Sequence, residues 1–174
     1  ALGAQAHWLC EAFDVSTAFL QGLRFQEIEA RARELGHECK KQRAVWLLPP
    51  ANVWRHLRLL RFTTVEDFER HLFRLLLHKA MYGLVDGPIL FQMAFIHYLL
   101  TELRFYKSFH DDNFLYKYSY DMSEIICVIV LHVDDLLVLG AEAVIRWVQA
   151  KIETRFGSLK RHTLPFVWCG IVHE

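Results

Sequence analysis

The sequence lacks an excess of charge of either sign: 20 lysines and arginines stand against 20 aspartates and glutamates. A chain that grips phosphate backbones unaided usually carries a basic surplus, so broad affinity for nucleic acid or anionic membranes gets no support from the total. A nucleic-acid partner would need charge that is local, or supplied by another segment. Paired cysteine motifs are missing too. Cys10, Cys39, Cys127 and Cys169 are scattered, with neither CxxC nor zinc spacing, which argues against a disulfide framework and fits thiols of a reducing compartment. No signal peptide is visible, and no uncharged apolar run is long enough to span a bilayer. The expectation is a soluble, intracellular chain, cytoplasmic or nuclear, with no membrane partner. Repeats, low-complexity segments and interdomain linkers are absent, as are HExxH and any recognisable nucleophile motif around serine, cysteine or lysine. The histidines, among them His7, His37, His97 and His162, form no metal-like cluster in sequence. The missing initial methionine reads as a processed chain or a fragment.

What is present favours a packed globular unit. Hydrophobic residues make up 53% and aromatics 14% of 174 residues, enough for one substantial core, so residues 1–174 are expected to form one domain or part of one. Residues 6–15 (AHWLCEAFDV) are apolar and aromatic enough for a strand. Phe25, Ile28, Ala32 and Leu35 recur at helical spacing, with Gly36 as a stop. Residues 44–50 (AVWLLPP) predict a short strand closed by prolines, and Arg55, Arg58 and Arg61 follow helical spacing, expected as a solvated face in preference to a basic stripe touching a phosphate backbone. Thr64 with Asp67 resembles a capping box, which predicts a helix to about residue 78 with Phe68, Leu72, Leu75 and Leu76 as its stripe. A buried helix is expected from after YGLVDGP to about residue 103, then consecutive strands over 113–140, then a helix carrying Val144, Ile145, Val148, Ile152 and Phe156 that stops at Gly157. This order predicts an α+β fold, a small antiparallel sheet backed by helices.

One stretch raises a chemical question. IICVIVLHVDDLLVLG (125–140) sets Asp134 and Asp135 into the most apolar run of the chain. Two charges about 4 Å apart repel by roughly 4 kcal/mol at an effective dielectric near 20, so something must compensate them. With a strand on either side, the two aspartates are expected to form a two-residue hairpin turn at the sheet's end. Aspartate is a favoured turn residue, so plain turn chemistry remains open for the pair alone. Hard divalent ions are held by one or two carboxylates plus phosphate oxygens, and Asp14, ending another predicted strand, would complete a two-metal site for phosphoryl transfer.

Four motifs, read in order, carry a resemblance. DVSTAFLQG (14–22), KAMYGLVDGP (79–88), FHDDNFLYKY (109–118) and VLHVDDLLVLG (130–140) resemble, in sequence and spacing, the reverse transcriptase domain of copia-type retrotransposons, with RFG (155–157) and CGIVHE (169–174) similar to its closing segment. The resemblance implies a polymerase palm, with a ribonucleotide-recognition-like sheet, catalysing RNA-directed DNA synthesis. It implies Asp14, Asp134 and Asp135 as catalytic residues that hold two magnesium ions, or manganese, with the Val15 carbonyl as main-chain ligand. Amides near Thr17 and Ala18 would face the incoming triphosphate, Phe19 would exclude a 2′-hydroxyl, Tyr82 and Gly83 would contact template and nucleotide, and His132 would meet the primer end. The implied partners are an RNA or DNA template with primer, and deoxynucleoside triphosphates.

Some positions depart from that pattern. His132 replaces a tyrosine, Val85 a lysine and Asp86 a glutamine, and residues 25–43 are longer than the usual link. The fingers start, the thumb, and ribonuclease H or integrase segments are not in this chain. These departures keep a second reading in play, a catalytically inactive palm serving as a structural or interaction subunit among protein partners of a larger assembly. A nuclease or other two-metal phosphotransferase built on three aspartates is a third reading, against which the KAMYGL segment argues.

Overall fold

A computed structural model of the chain describes residues 8–34, 44–64, 67–85 and 87–174. In chain order the elements begin with strand β1 (Leu9–Val15), a 3-10 helix η1 (Ala18–Gln21), helix α1 (Phe25–Glu34), strand β2 (Val45–Leu47), helix α2 (Ala51–Leu59), a 3-10 helix η2 (Asp67–Leu72), strand β3 (Leu75–Leu77) and helix α3 (Gly87–Thr101). Strands β4 (Tyr106–Lys107), β5 (Phe114–Tyr118), β6 (Ile125–His132) and β7 (Asp135–Gly140) follow, then helix α4 (Glu142–Phe156) and strands β8 (Leu159–Thr163), β9 (Phe166–Trp168) and β10 (Ile171–His173). The α+β class expected from the sequence is what the fold shows. Among the described residues no helix is long and apolar enough to cross a membrane. Two compact units divide the chain, Ala1–Leu23 with Met81–Glu174 and, separately, Arg24–Ala80.

The first unit is built on a six-stranded sheet of order β4-β5-β6-β7-β1-β8, antiparallel throughout. Alternation along each strand gives the sheet two different faces. On one face Phe13, Val15, Ile129, Leu131, Leu136 and Val138 pack in a core with Phe91, Phe95 and Leu99 of α3 and Ile145, Val148, Ile152 and Phe156 of α4. Each large side chain buried there contributes roughly 1.5–3 kcal/mol. The apolar positions of α4 are those the helical spacing predicted, and the helix ends at Gly157, whose φ of 81° suits glycine. Gly22 permits close approach of α3: a Cβ there would sit 3.1 Å from the Phe91 nitrogen. On the opposite face Ala12 and Leu137 meet Phe166 of the β9-β10 hairpin in a smaller cluster.

One charge sits on the core face. Glu11 is only 3% exposed, and it accepts hydrogen bonds from Arg161 of β8 and Arg146 of α4, the Arg161 Nε lying 2.9 Å away. Burial alone would push this carboxyl up, but the hydrogen bonds and charges of Arg161 and Arg146 outweigh it and hold the group below its ordinary value.

The second unit corrects part of the sequence reading. The helix expected from Thr64 to about residue 78 is instead the short η2 followed by β3, which pairs antiparallel with β2 through Val45↔Leu77, Trp46↔Leu76 and Leu47↔Leu75. Arg74 accounts for the break, its guanidinium donating to the carbonyls of His71 at 2.7 Å and Phe73 at 2.9 Å and so closing the end of η2. The expected apolar stripe does not form a buried face, since Leu72 and Leu76 are exposed. Beyond β3, the His78 carbonyl accepts from the Phe25 amide that opens α1. The expected stop at Gly36, together with His37, Cys39 and the end of the 25–43 insertion, lies outside the described residues, as does Asp86.

Candidate active site

Strand register assembles the site. β7 pairs with β1 so that Asp135 stands opposite Asp14, with β6 so that His132 stands opposite Asp135, and β1 pairs with β8 so that Lys160 stands opposite Asp14. Directly opposed residues share a face, so His132, Asp135, Asp14 and Lys160 form one row across four strands. Alternation puts that row on the face that carries Ala12 and Leu137, away from α3 and α4. It lies at the sheet's end, where His132 closes β6 and Asp135 opens β7.

The hairpin turn falls one residue earlier than expected. Val133 and Asp134 are its two loop residues, and Asp135 is already in the ladder opposite His132. The far end of the hairpin is consistent with this register: Gly140 stands opposite Cys127, where a Cβ would come within 2.9 Å of the Ile126 carbonyl oxygen. In consequence Val133 takes φ 60°, a left-handed conformation that costs a β-branched residue roughly 1–3 kcal/mol. The Val15 amide donates to the Asp134 carbonyl at 3.2 Å, which ties the turn to the end of β1. The turn is thus held in a disfavoured conformation by its surroundings, and Asp134 is held with it.

The electrostatics agree with the geometry. Burial, the largest cause, raises the Asp135 carboxyl above its ordinary value, and the charges of Asp134 and Asp14 raise it further, against smaller opposite effects of His132 and His162. Asp135 thus senses both of the other acids. No group of three or more histidine, cysteine, aspartate or glutamate side chains stands ready to enclose a metal ion among the described residues. Asp14, Asp134 and Asp135 at this sheet end do offer all-oxygen donors of the kind that hard divalent ions accept.

The nucleotide-contact candidates form a second group. The Phe19 ring lies against Tyr82, with centroids 4.8 Å apart and planes tilted by 46°. Gly87, opening α3, lies beside Phe19: a Cβ there would meet the Phe19 Cβ and Cγ at an ordinary contact distance of 3.7 Å. Tyr82 and Gly83 occupy a turn closed by the Leu84 amide on the Met81 carbonyl at 3.1 Å, and Gly83 takes φ 91° with open space around it. Thr17, exposed at φ 56°, precedes η1 and its carbonyl accepts from the Leu20 amide, while Ala18 is buried beneath. The fold therefore brings together Asp14, Asp134, Asp135, His132 and Val15 in one group, and Phe19, Tyr82 and Gly83 in another, with Thr17 and Ala18 on the five-residue path from Asp14 to Phe19.

Sequence reasoning missed Lys160 and His162. Both lie on β8, far along the chain from Asp14, and strand pairing sets Lys160 opposite Asp14 and His162 opposite Ala12, so no local spacing could have signalled them. Cys169 was also passed over; its thiol is raised by burial and then by the charge of Asp135.

Fold and site together define an α+β domain whose antiparallel sheet presents three carboxylates at one end. No family model, curated protein or solved structure matches the chain.

Proposed function

We propose that the chain is the palm portion of a reverse transcriptase domain of copia type, an RNA-directed DNA polymerase. The observation that carries this reading is the opposition of Asp14 and Asp135 across β1 and β7 with Asp134 in the adjoining turn, which joins residues from two motifs that sequence alone could only list in order. Magnesium held by Asp14, Asp134, Asp135 and the Val15 carbonyl would supply charge neutralisation and polarisation for two-metal phosphoryl transfer. In the reaction so read, the primer 3′-hydroxyl oxygen bonds to the α-phosphorus of a deoxynucleotide and pyrophosphate leaves.

The chain's own groups do the positioning. Phe19, packed against Tyr82, offers an apolar wall suited to rejecting a 2′-hydroxyl. The amides near Thr17 and Ala18, at the start of η1, would face the phosphate oxygens of the incoming triphosphate. His132, exposed at the end of β6, offers a planar donor or acceptor to the primer end where the pattern has a phenol. The inactive-palm reading draws on this same substitution and on Val85, which is fully exposed where the pattern has lysine.

Primer extension with magnesium separates the two. The active reading expects extension by this chain and loss of about 100-fold or more in Asp134→Asn, the scale on which removing electrostatic stabilisation of a transition state acts. Extension that is absent, or equal in both, leaves the inactive palm as the reading.

A further inference from the structure

Two cations meet at the sheet end away from the aspartates. Arg104 follows α3 at φ 55°, a left-handed position where glycine is usual, and the Phe105 amide closes the turn on the Leu99 carbonyl at 2.9 Å. Among the described residues its guanidinium has no hydrogen-bond or ion-pair partner. Lys117 of β5 stands near it, and burial, then the charge of Arg104, holds the Lys117 ammonium below its ordinary value. One of its three donors goes to the Leu103 carbonyl at 2.6 Å, which leaves two. With Tyr106, Tyr118 and Ser119 the two cations line a cavity of about 400 Å³, and among the described residues no carboxylate lines it. A second cavity of about 310 Å³ shares Lys117 and Ile126 with the first, and its other walls are Ala143, Val144 and Trp147 of α4. A bulge forms the shared wall: the register shifts between Lys117, opposite Cys127, and Tyr118, opposite Ile125, so Ile126 is the extra residue, and bulges re-aim a side chain.

We propose that the paired cavities bind an elongated amphipathic carboxylate of the medium-chain fatty acid class, its head at Arg104 and Lys117 and its tail between Ile126 and Trp147. A guanidinium matches a carboxylate with two parallel hydrogen bonds, and like charges held together without a counter-charge gain from an anion between them. Beyond Lys117 the walls are apolar, so methylenes that enter the second cavity leave water. A mostly apolar hollow with a few convergent polar groups is the usual form of a small-molecule site. A compact anion would fill only the first cavity, and the second offers nothing to a polar backbone. The Lys117 ammonium, 5.3 Å from the centre of the Trp147 ring, stands where head and tail would join. On β6, Ile126 lies six residues from His132, roughly 20 Å along the strand, so this site and the polymerase reading stand or fall separately.

Calorimetric titration of the full chain with sodium octanoate is expected to show saturable one-to-one binding. Acetate, which has the charge without the tail, and octan-1-ol, which has the tail without the charge, should each bind at least about tenfold more weakly. Arg104→Gln, at an exposed position, should weaken octanoate by about tenfold, and Arg104→Lys, which keeps the charge and loses the fork, by only a few-fold. Ala143→Phe is also exposed and fills the second cavity from its wall, so it should weaken octanoate by about tenfold and leave acetate unchanged. Lys107→Gln removes a neighbouring charge that pairs with Asp112 and lines neither cavity, and should leave octanoate binding unchanged. No binding of octanoate, equal affinity for acetate, equal losses in Arg104→Gln and Lys107→Gln, an Ala143→Phe chain that binds octanoate as before, or binding to phosphatidylglycerol vesicles without binding to octanoate would overturn the proposal.

Discussion

Glu11 and Asp14 lie three residues apart on one strand, and they show two opposite ways of keeping a carboxylate in a sheet. Glu11 faces the core, where Arg146 and Arg161 satisfy it and hold its carboxyl below the ordinary range. Asp14 faces the other way, opposite Asp135 and beside Asp134, and here burial, then repulsion, pushes Asp135 above its ordinary value. The first arrangement serves the fold. In the second, Asp135 is raised with only partial relief from His132 and His162, which is the ground for proposing that this sheet end meets a cation from outside the chain.

Mutation should give the two sites opposite signs. Glu11→Ala leaves two guanidiniums facing a buried gap, and loss of about 3 kcal/mol is expected in urea unfolding, at the lower end for a broken buried pair because Arg146 and Arg161 are 31% and 40% exposed. A change under 1 kcal/mol would contradict the structural role. Asp135→Asn, measured in metal-free buffer at neutral pH, should instead stabilise by about 1 kcal/mol, or a few degrees in thermal midpoint. No gain would mean that the acids do not oppose one another.

The pH dependence sharpens the contrast. A carboxyl whose folded pKa is raised binds protons more readily in the folded state, so the penalty of Asp135 is present above its raised pKa and fades as pH falls through it towards the ordinary value of 3.8. The advantage of Asp135→Asn over wild type should therefore shrink on acidification. Glu11 has the opposite linkage: its stabilisation is present above the ordinary value of 4.5 and is lost as pH falls through its lowered folded pKa. Thermal midpoints of wild type, Asp135→Asn and Glu11→Gln across this acid range check both signs. The smallest effect belongs to Val133→Gly, which removes the left-handed strain but adds freedom to the unfolded chain. A net gain of about 0.5 kcal/mol is expected by calorimetry, and a loss would show that Val133 is not strained.

The sequence made much of this legible. The α4 stripe, the long helix ahead of β4 and the strands flanking the aspartate pair were readable because period and burial agree there. η2 and β3 were not, because a leucine run suits either a helix or a strand until a partner such as β2 decides it, and Arg74 breaks the helix with bonds that no periodicity announces. At the site, the aspartates could be named from motif order, but their opposition, the Val133 turn and the presence of Lys160 arise from pairing across distant segments. Glu11 escaped notice for the same reason, since its arginines come from α4 and β8.

The central proposal, that Asp14, Asp134 and Asp135 at this sheet end hold a divalent cation, is tested most directly by manganese binding to the full chain, followed as loss of the free-ion electron paramagnetic resonance signal. Asp121→Asn is the control, an exposed turn carboxylate held to a pKa of about 2 by hydrogen bonds from Ser119 and Ser123. The account predicts saturable binding in the wild type and the control, weakened about tenfold or more by Asp14→Asn and by Asp134→Asn. Equal binding by all four proteins, or none by the wild type, would contradict it.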